Sequence, residues 1–196
     1  MDHVFNFWLS VIAISIIGTL AHFIYEWAHH NRTIGLFTAV NESTWEHIKI
    51  ALTGAFLWGL YDGFVYGYLP NYFLAKLTSL LVIAITIPSI FYFYRLFAKK
   101  SILALDISLF FIAIILGQLS FFGILVAPNI PYIIEYLATI GLFVFFGAYM
   151  TLTLKPLKTI LFKDPITGKF GFRAHTHLQK IKAKAKTRLK SATKKK

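Results

Sequence analysis

Side chains that could bind a metal ion or transfer protons lie in three short stretches of the sequence. His22 and Glu26 are four residues apart, so they share one face if this stretch is helical. His175 and His177 are two residues apart and would share a face in an extended segment. Because imidazole and carboxylate ligands together suit a divalent transition metal, one hypothesis is a divalent metal cofactor bound by all four residues.

The third stretch, Asn41-Glu42-Ser43-Thr44-Trp45-Glu46-His47, supplies further candidate catalytic groups. Three protein ligands and a water would make a hydrolytic centre. The candidate catalytic residues are Glu26, Glu46 and His47, with either glutamate as the general base. Two structural interpretations stay open. Ser43-Thr44-Trp45-Glu46 fits a capping box that only begins a helix, and His22 with Glu26 could form a buried hydrogen-bonded pair.

The elements that must position these residues are membrane-spanning helices. Of the 196 residues, 57% are hydrophobic and 14% are charged, whereas a soluble domain has about 25% charged residues. A span needs about 20 predominantly apolar residues, and five segments qualify, at about 4–28, 45–68, 72–97, 102–126 and 132–154. We predict an all-α integral membrane protein, a bundle of five transmembrane helices. The lack of cysteine excludes disulfides and thiolate sites.

Basic residues would all lie on one side of a five-helix bundle. The connections after the first and third spans carry Arg32, Arg95 and Lys100, and 14 of the 20 Lys and Arg residues follow residue 154. Since basic loops stay in the cytoplasm, we predict a multi-pass protein of the cell membrane, N-terminus outside and C-terminus inside. Most of the histidines then lie at the cytoplasmic face, and Asp62 and Glu135 are expected at the opposite interface.

The sequence divides into three regions. Residues 1–154 form the transmembrane domain. Residues 155–177 form a cytoplasmic segment that resembles a β-hairpin, because Asp164, Pro165 and Gly168 have the preferences of a tight turn. Residues 178–196 form a basic tail, amphipathic or disordered. The tail is expected to bind anionic phospholipid through Lys180, Lys182, Lys184, Lys186, Arg188 and Lys190. It has no base-reading pattern, so sequence-specific binding of nucleic acid is not expected.

Three motifs resemble those of a family of small prokaryotic multi-pass membrane proteins of unknown function. The motifs are His22-x-x-Tyr25-Glu26-Trp27, Asn41-Glu42-Ser43-x-Trp45-Glu46-His47 and Asp164-Pro165-x-Thr167-Gly168. The resemblance implies the multi-pass architecture and draws attention to these positions. It implies no activity.

Three functions fit the sequence. The first is a membrane-embedded, metal-dependent or metal-free enzyme that acts on a lipid-like substrate at the cytoplasmic face, which the one-sided histidines and acids favour. The second is a non-catalytic scaffold that docks anionic lipid or a ribosome through its tail. The third is a small transporter component. The sequence gives no oligomeric state.

Overall fold

Five long helices build the protein. The structure, a computed structural model, describes residues 3–98 and 100–175. The helices are α1 (His3–Trp27), α2 (Thr44–Tyr66), α3 (Tyr72–Arg95), α4 (Leu103–Leu125) and α5 (Tyr132–Leu154). Each is long and apolar enough to cross a membrane. The prediction of an all-α chain with five helices long and apolar enough to span a membrane is therefore confirmed, and the observed helix ends lie within two residues of the predicted ones.

The helices differ strongly in how much of their surface the bundle covers. α2 is the most enclosed, with buried residues along most of its length. α5 is the most peripheral, with only Ala138, Tyr149 and Thr153 buried. Its outer face carries large apolar side chains such as Phe143, which is 77% exposed. Because water would disfavour so much exposed apolar surface, this face suits lipid.

Two glycines allow α1 and α2 to pack closely. A Cβ atom at Gly54 would lie 2.6 Å from the carbonyl oxygen of Ile14, and one at Gly18 would lie 3.0 Å from that of Ile50. Small residues at such crossings let backbones approach in a membrane. The close contact fixes the relative position of the two helices that carry His22 and His47.

The connection between α1 and α2 folds back along α1. His29 and His30 have positive φ angles of 51° and 64°, and the His30 amide donates to the Tyr25 carbonyl at 3.0 Å. This left-handed turn ends the helix as helix C-caps do. Further on, the Ala39 amide donates to the Ala21 carbonyl at 3.2 Å. The turn brings His30 back over the last turn of α1, beside Glu26.

The segment after α5 is a compact loop and not a strand ladder. Its antiparallel pairing is an isolated bridge between Lys163 and Phe170, and no strand occurs among the residues that the structure describes. The β-hairpin expected over 155–177 is thus not supported. The turn itself is present, with Gly168 at φ +69° and Asp164 Oδ2 accepting from the Thr167 amide at 2.8 Å.

A second correction concerns the end of this loop. We predicted an extended segment that places His175 and His177 on one face. Residues 172–175 are helical instead, so this prediction is wrong at His175. Phe162 turns inward through a short 3₁₀ segment, Ile160–Phe162, and packs on Trp45 with ring centroids 5.0 Å apart. The loop therefore packs against the bundle through Phe162, and its pairing with itself is limited to the bridge and the turn described above.

Candidate functional site

Two of the sequence motifs bind each other at the end of the bundle where α2 begins. The Glu42 amide donates to Asp164 Oδ1 at 3.2 Å, and Asn41 Nδ2 donates to the Gly171 carbonyl at 3.2 Å. Asn41 Oδ1 also accepts from the Ser43 amide at 2.8 Å. Asp164 is only 2% exposed, and both of its oxygens are used. These bonds fix the loop after α5 against the start of α2.

A cavity of about 1230 Å³ opens beside this contact. α1, α2, α3, α4 and the loop after α5 contribute to its walls. The apolar part of the wall includes Ile50, Ile87, Phe91, Leu109 and Phe110. The polar side chains include His22, Glu42, His47, Arg95, Asp106 and Lys163. A cavity with an apolar body and a few polar groups suits an amphiphilic ligand.

His47 and His22 face each other across part of this cavity, with ring centroids 5.9 Å apart. His47 Nδ1 lies 3.0 Å from the Ser43 carbonyl. Because a carbonyl only accepts, Nδ1 carries the proton and the neutral ring keeps its lone pair on Nε2. Glu42 Oε2 lies 4.0 Å from Nε2. This arrangement suits a general base whose protonated form a carboxylate stabilises.

Two buried nitrogen atoms in the cavity wall make no hydrogen bond to any described residue. They are His22 Nδ1 and Arg95 Nη1. The nearby carboxylate of Asp106 accepts instead from the hydroxyls of Tyr94 and Ser101. Buried polar atoms are paired in the great majority of cases. Protein atoms cover both nitrogens, so a ligand oxygen in the cavity would reach them only after the side chains of His22 and Arg95 turn towards it.

Glu46 lines neither of the two cavities at this end of the bundle. Its carboxylate is buried, and Oε2 lies 2.6 Å from Lys49 Nζ and accepts from the Val40 amide at 3.0 Å. Lys49 Nζ also donates to the Gly35 carbonyl at 3.0 Å. Ser43 does precede the first helical residue, but its side chain makes no capping bond, so the capping box is wrong. Glu46 instead anchors the α1–α2 connection to α2.

Glu26 turns away from His22 and towards two other histidines. His30 Nε2 lies 3.0 Å from Glu26 Oε2, and His175 Nδ1 lies 4.0 Å from Glu26 Oε1. The ligand atoms of these three residues all lie within 4.8 Å of one another. Glu26 and His175 also line a smaller cavity of about 200 Å³, which shares His22 and Glu42 with the large one.

The structure thus divides the residues predicted for one site between two neighbouring clusters. His47 lines the large cavity, Glu26 and His175 line the smaller one, and His22 lines both. His177 and the six basic residues predicted to contact lipid lie outside the described residues. Sequence reasoning did not select His30 or Arg95. His30 follows a helix end closely, and Arg95 ends α3, but neither position alone signals a partner.

Residues 3–172 match DUF6512, a family of unknown function. The chain belongs to this family. The match includes all three motifs named above and ends before residues 173–196, and it confirms the predicted relation to an uncharacterised family. No curated protein and no solved structure matches the chain. The family gives no activity, so the case for a function depends on the geometry of the site.

Proposed function

We propose that this protein is a membrane enzyme that binds a lipid-like amphiphile in the large cavity and acts on its polar end. The observation that carries the proposal is a cavity of about 1230 Å³ whose walls are mostly apolar and carry a few polar side chains, among them His22, His47 and Arg95. The acyl or isoprenoid part of a substrate would lie along the apolar wall. Its polar oxygens would meet His47 and, once their side chains turn towards the cavity, His22 and Arg95.

His47 is the general base in this proposal, rather than Glu46. Its Nε2 carries the lone pair, whereas the Glu46 carboxylate is held in a buried ion pair with Lys49. Nε2 would take a proton from a water or hydroxyl nucleophile, and Glu42 would stabilise the imidazolium that forms. Arg95, and His22 where Nδ1 is protonated, would donate to an oxygen that gains negative charge.

A bulky side chain in the cavity wall is expected to displace the amphiphile. Thr19 lines the cavity and is exposed in it, so Thr19→Trp should fill space without opening the core. We expect about ten-fold less lipid retained per chain, equivalent to about 1.4 kcal/mol. The measurement is native mass spectrometry after release from bilayers of phosphatidylethanolamine and phosphatidylglycerol.

Leu20→Trp is the matched control. Leu20 is the next residue, 44% exposed, and is not part of the cavity wall. It should retain as much lipid as the unaltered protein, because lipids bound elsewhere on the helices are unaffected by the cavity. Equal retention in Thr19→Trp and Leu20→Trp would remove the cavity as the binding site.

We further propose that this site faces the cytoplasm, with the N-terminus outside. In support, Arg32 and Lys100 follow helix ends on the side of the site, Arg95 is the last residue of α3 there, and further basic residues follow α5. The two connections on the other side, 67–71 and 126–131, contain no Lys or Arg. Basic connections are retained in the cytoplasm. The identity of the membrane as the cell membrane is part of the same proposal.

Cysteine labelling tests this orientation directly, because the natural sequence has no cysteine to mask. Asn129 and Lys158 are both exposed and lie at opposite ends of α5. In intact cells, a membrane-impermeant maleimide should label Asn129→Cys but should label Lys158→Cys only after permeabilisation. The reverse pattern would place the cavity and its histidines on the outside.

The prediction that the tail binds anionic phospholipid concerns residues outside those that the structure describes. Lipid binding by the tail stays a proposal, and it is independent of the proposed enzyme activity. Deleting 178–196 should weaken binding to vesicles that contain phosphatidylglycerol.

A further inference from the structure

We propose that Glu26, His30 and His175 form a binding site for a divalent transition metal ion of the zinc class. The site would join the end of α1, the turn that follows it and the loop after α5. It differs from the ligand set predicted from the sequence, because the group of mutually close ligand atoms includes His30 and does not include His22. The inference does not depend on the proposed enzyme activity.

The distances among the three side chains are close to those that a metal ion requires. Zinc binds imidazole nitrogen and carboxylate oxygen at about 2.0–2.2 Å in a tetrahedral arrangement, which separates the ligand atoms by about 3.3 Å. His30 Nε2 lies 3.0 Å from Glu26 Oε2, and His175 Nδ1 lies 4.0 Å from the other carboxylate oxygen, Oε1. Because all three ligand atoms lie within 4.8 Å of one another, small rotations of the side chains would complete the geometry.

The surrounding structure holds both imidazoles in place. The left-handed turn at His29 and His30 costs free energy for residues other than glycine, and it is this turn that directs His30 back towards Glu26. Tyr25 is buried and packs edge-on against both rings, with centroids 5.4 Å from His30 and 5.0 Å from His175. The rings of His30 and His175 themselves are 4.4 Å apart.

The ligand types select the class of metal. Two imidazoles and one carboxylate suit zinc and its neighbours in the first transition series, whereas calcium and magnesium prefer oxygen ligands alone. Three protein ligands leave a fourth position for water or another group. Glu26 and His175 line the cavity of about 200 Å³, so the open position would face that space, next to the large cavity.

Titration with Co²⁺ tests the site through a signal that only bound metal gives. The full chain, purified without a histidine tag and stripped with a chelator, should bind one Co²⁺ with the visible absorption of a tetrahedral complex. Zn²⁺ should displace it. His30→Ala and His175→Ala should each weaken binding by more than about ten-fold, since losing even an outer partner of a ligand costs 10-fold to 100-fold. Glu26→Gln should do the same while keeping a hydrogen-bonding side chain.

His29→Asn is the control, because His29 neighbours His30 and is exposed but is not in the cluster, and asparagine tolerates the positive φ of this turn. It should bind Co²⁺ like the unaltered protein. Zn²⁺ should also raise the melting temperature of the unaltered protein and of His29→Asn, but not of Glu26→Gln. The proposal is overturned if the unaltered chain gives no tetrahedral Co²⁺ spectrum, or if the three cluster variants bind as tightly as it does. Neither result would bear on lipid retention in the large cavity.

Discussion

Glu46→Gln is expected to lower the free energy of unfolding by about 3–5 kcal/mol, the usual cost of removing one partner of a buried ion pair. The substitution keeps the size of the side chain and leaves the Lys49 ammonium without its counter-ion. The Lys49 side chain is fully buried, and its other described partner is the neutral carbonyl of Gly35. The measurement is reversible unfolding in mixed micelles.

Two controls separate the loss of the ion pair from other effects. Glu46→Gln combined with Lys49→Met removes both charges and should regain more than half of the loss, because a buried pair is often worth little more than an apolar replacement. Glu42→Gln changes a carboxylate on a half-exposed side chain four residues earlier and should alter stability by less than about 0.5 kcal/mol. If the double substitution were less stable than Glu46→Gln, the uncompensated charge would not be the cause.

The helices were predictable because a bilayer leaves a chain little choice. Apolar segments of this length must satisfy their own backbone hydrogen bonds in lipid, so each becomes a helix whose ends lie near the first polar residues. What hydropathy does not give is the rotation of each helix. His22 and Glu26 share a helical face by spacing, yet His22 meets His47 from α2 and Glu26 meets His30 and His175.

The partners of charged residues were not predicted either, because they too depend on the rotation of each helix. Asp62 was expected at the interface from its position along α2, but it is 1% exposed and bonds to Lys76 Nζ of α3 at 2.7 Å. Glu135 was expected at the same interface, with no partner named. In the structure it accepts from the Phe73 and Leu74 amides at the start of α3. In both cases the partner lies on another helix, which a single sequence does not reveal.

The contact between the two motifs at the site shows the limit most clearly. Asn41 bonds to Gly171 and Glu42 bonds to Asp164, although each pair is more than 120 residues apart in the sequence. Both bonds join a side chain to a backbone group. The turn at Asp164 was readable because its chemistry is local. The other carboxylate oxygen of Asp164 accepts from the Glu42 amide, and Glu42 lines the large cavity. This contact depends on the packing of the whole bundle, so local chemistry does not predict it.

His47→Ala is expected to lower turnover by about 10²–10⁴-fold, the usual contribution of a positioned general base. The test reconstitutes the protein in vesicles of phosphatidylethanolamine and phosphatidylglycerol and follows both lipids and their products by mass spectrometry.

Lipid retention in the same variant distinguishes catalysis from binding. His47 contributes one polar group among several in the cavity, so His47→Ala should retain nearly as much lipid as the unaltered protein while its turnover falls. His29→Asn, at an exposed histidine outside the cavity, should change neither quantity. Unchanged turnover in His47→Ala would exclude it as the base. If the unaltered protein retained lipid but converted none of it, the cavity would bind these lipids without acting on them. A general base acts only on a substrate whose reactive bond lies within its reach.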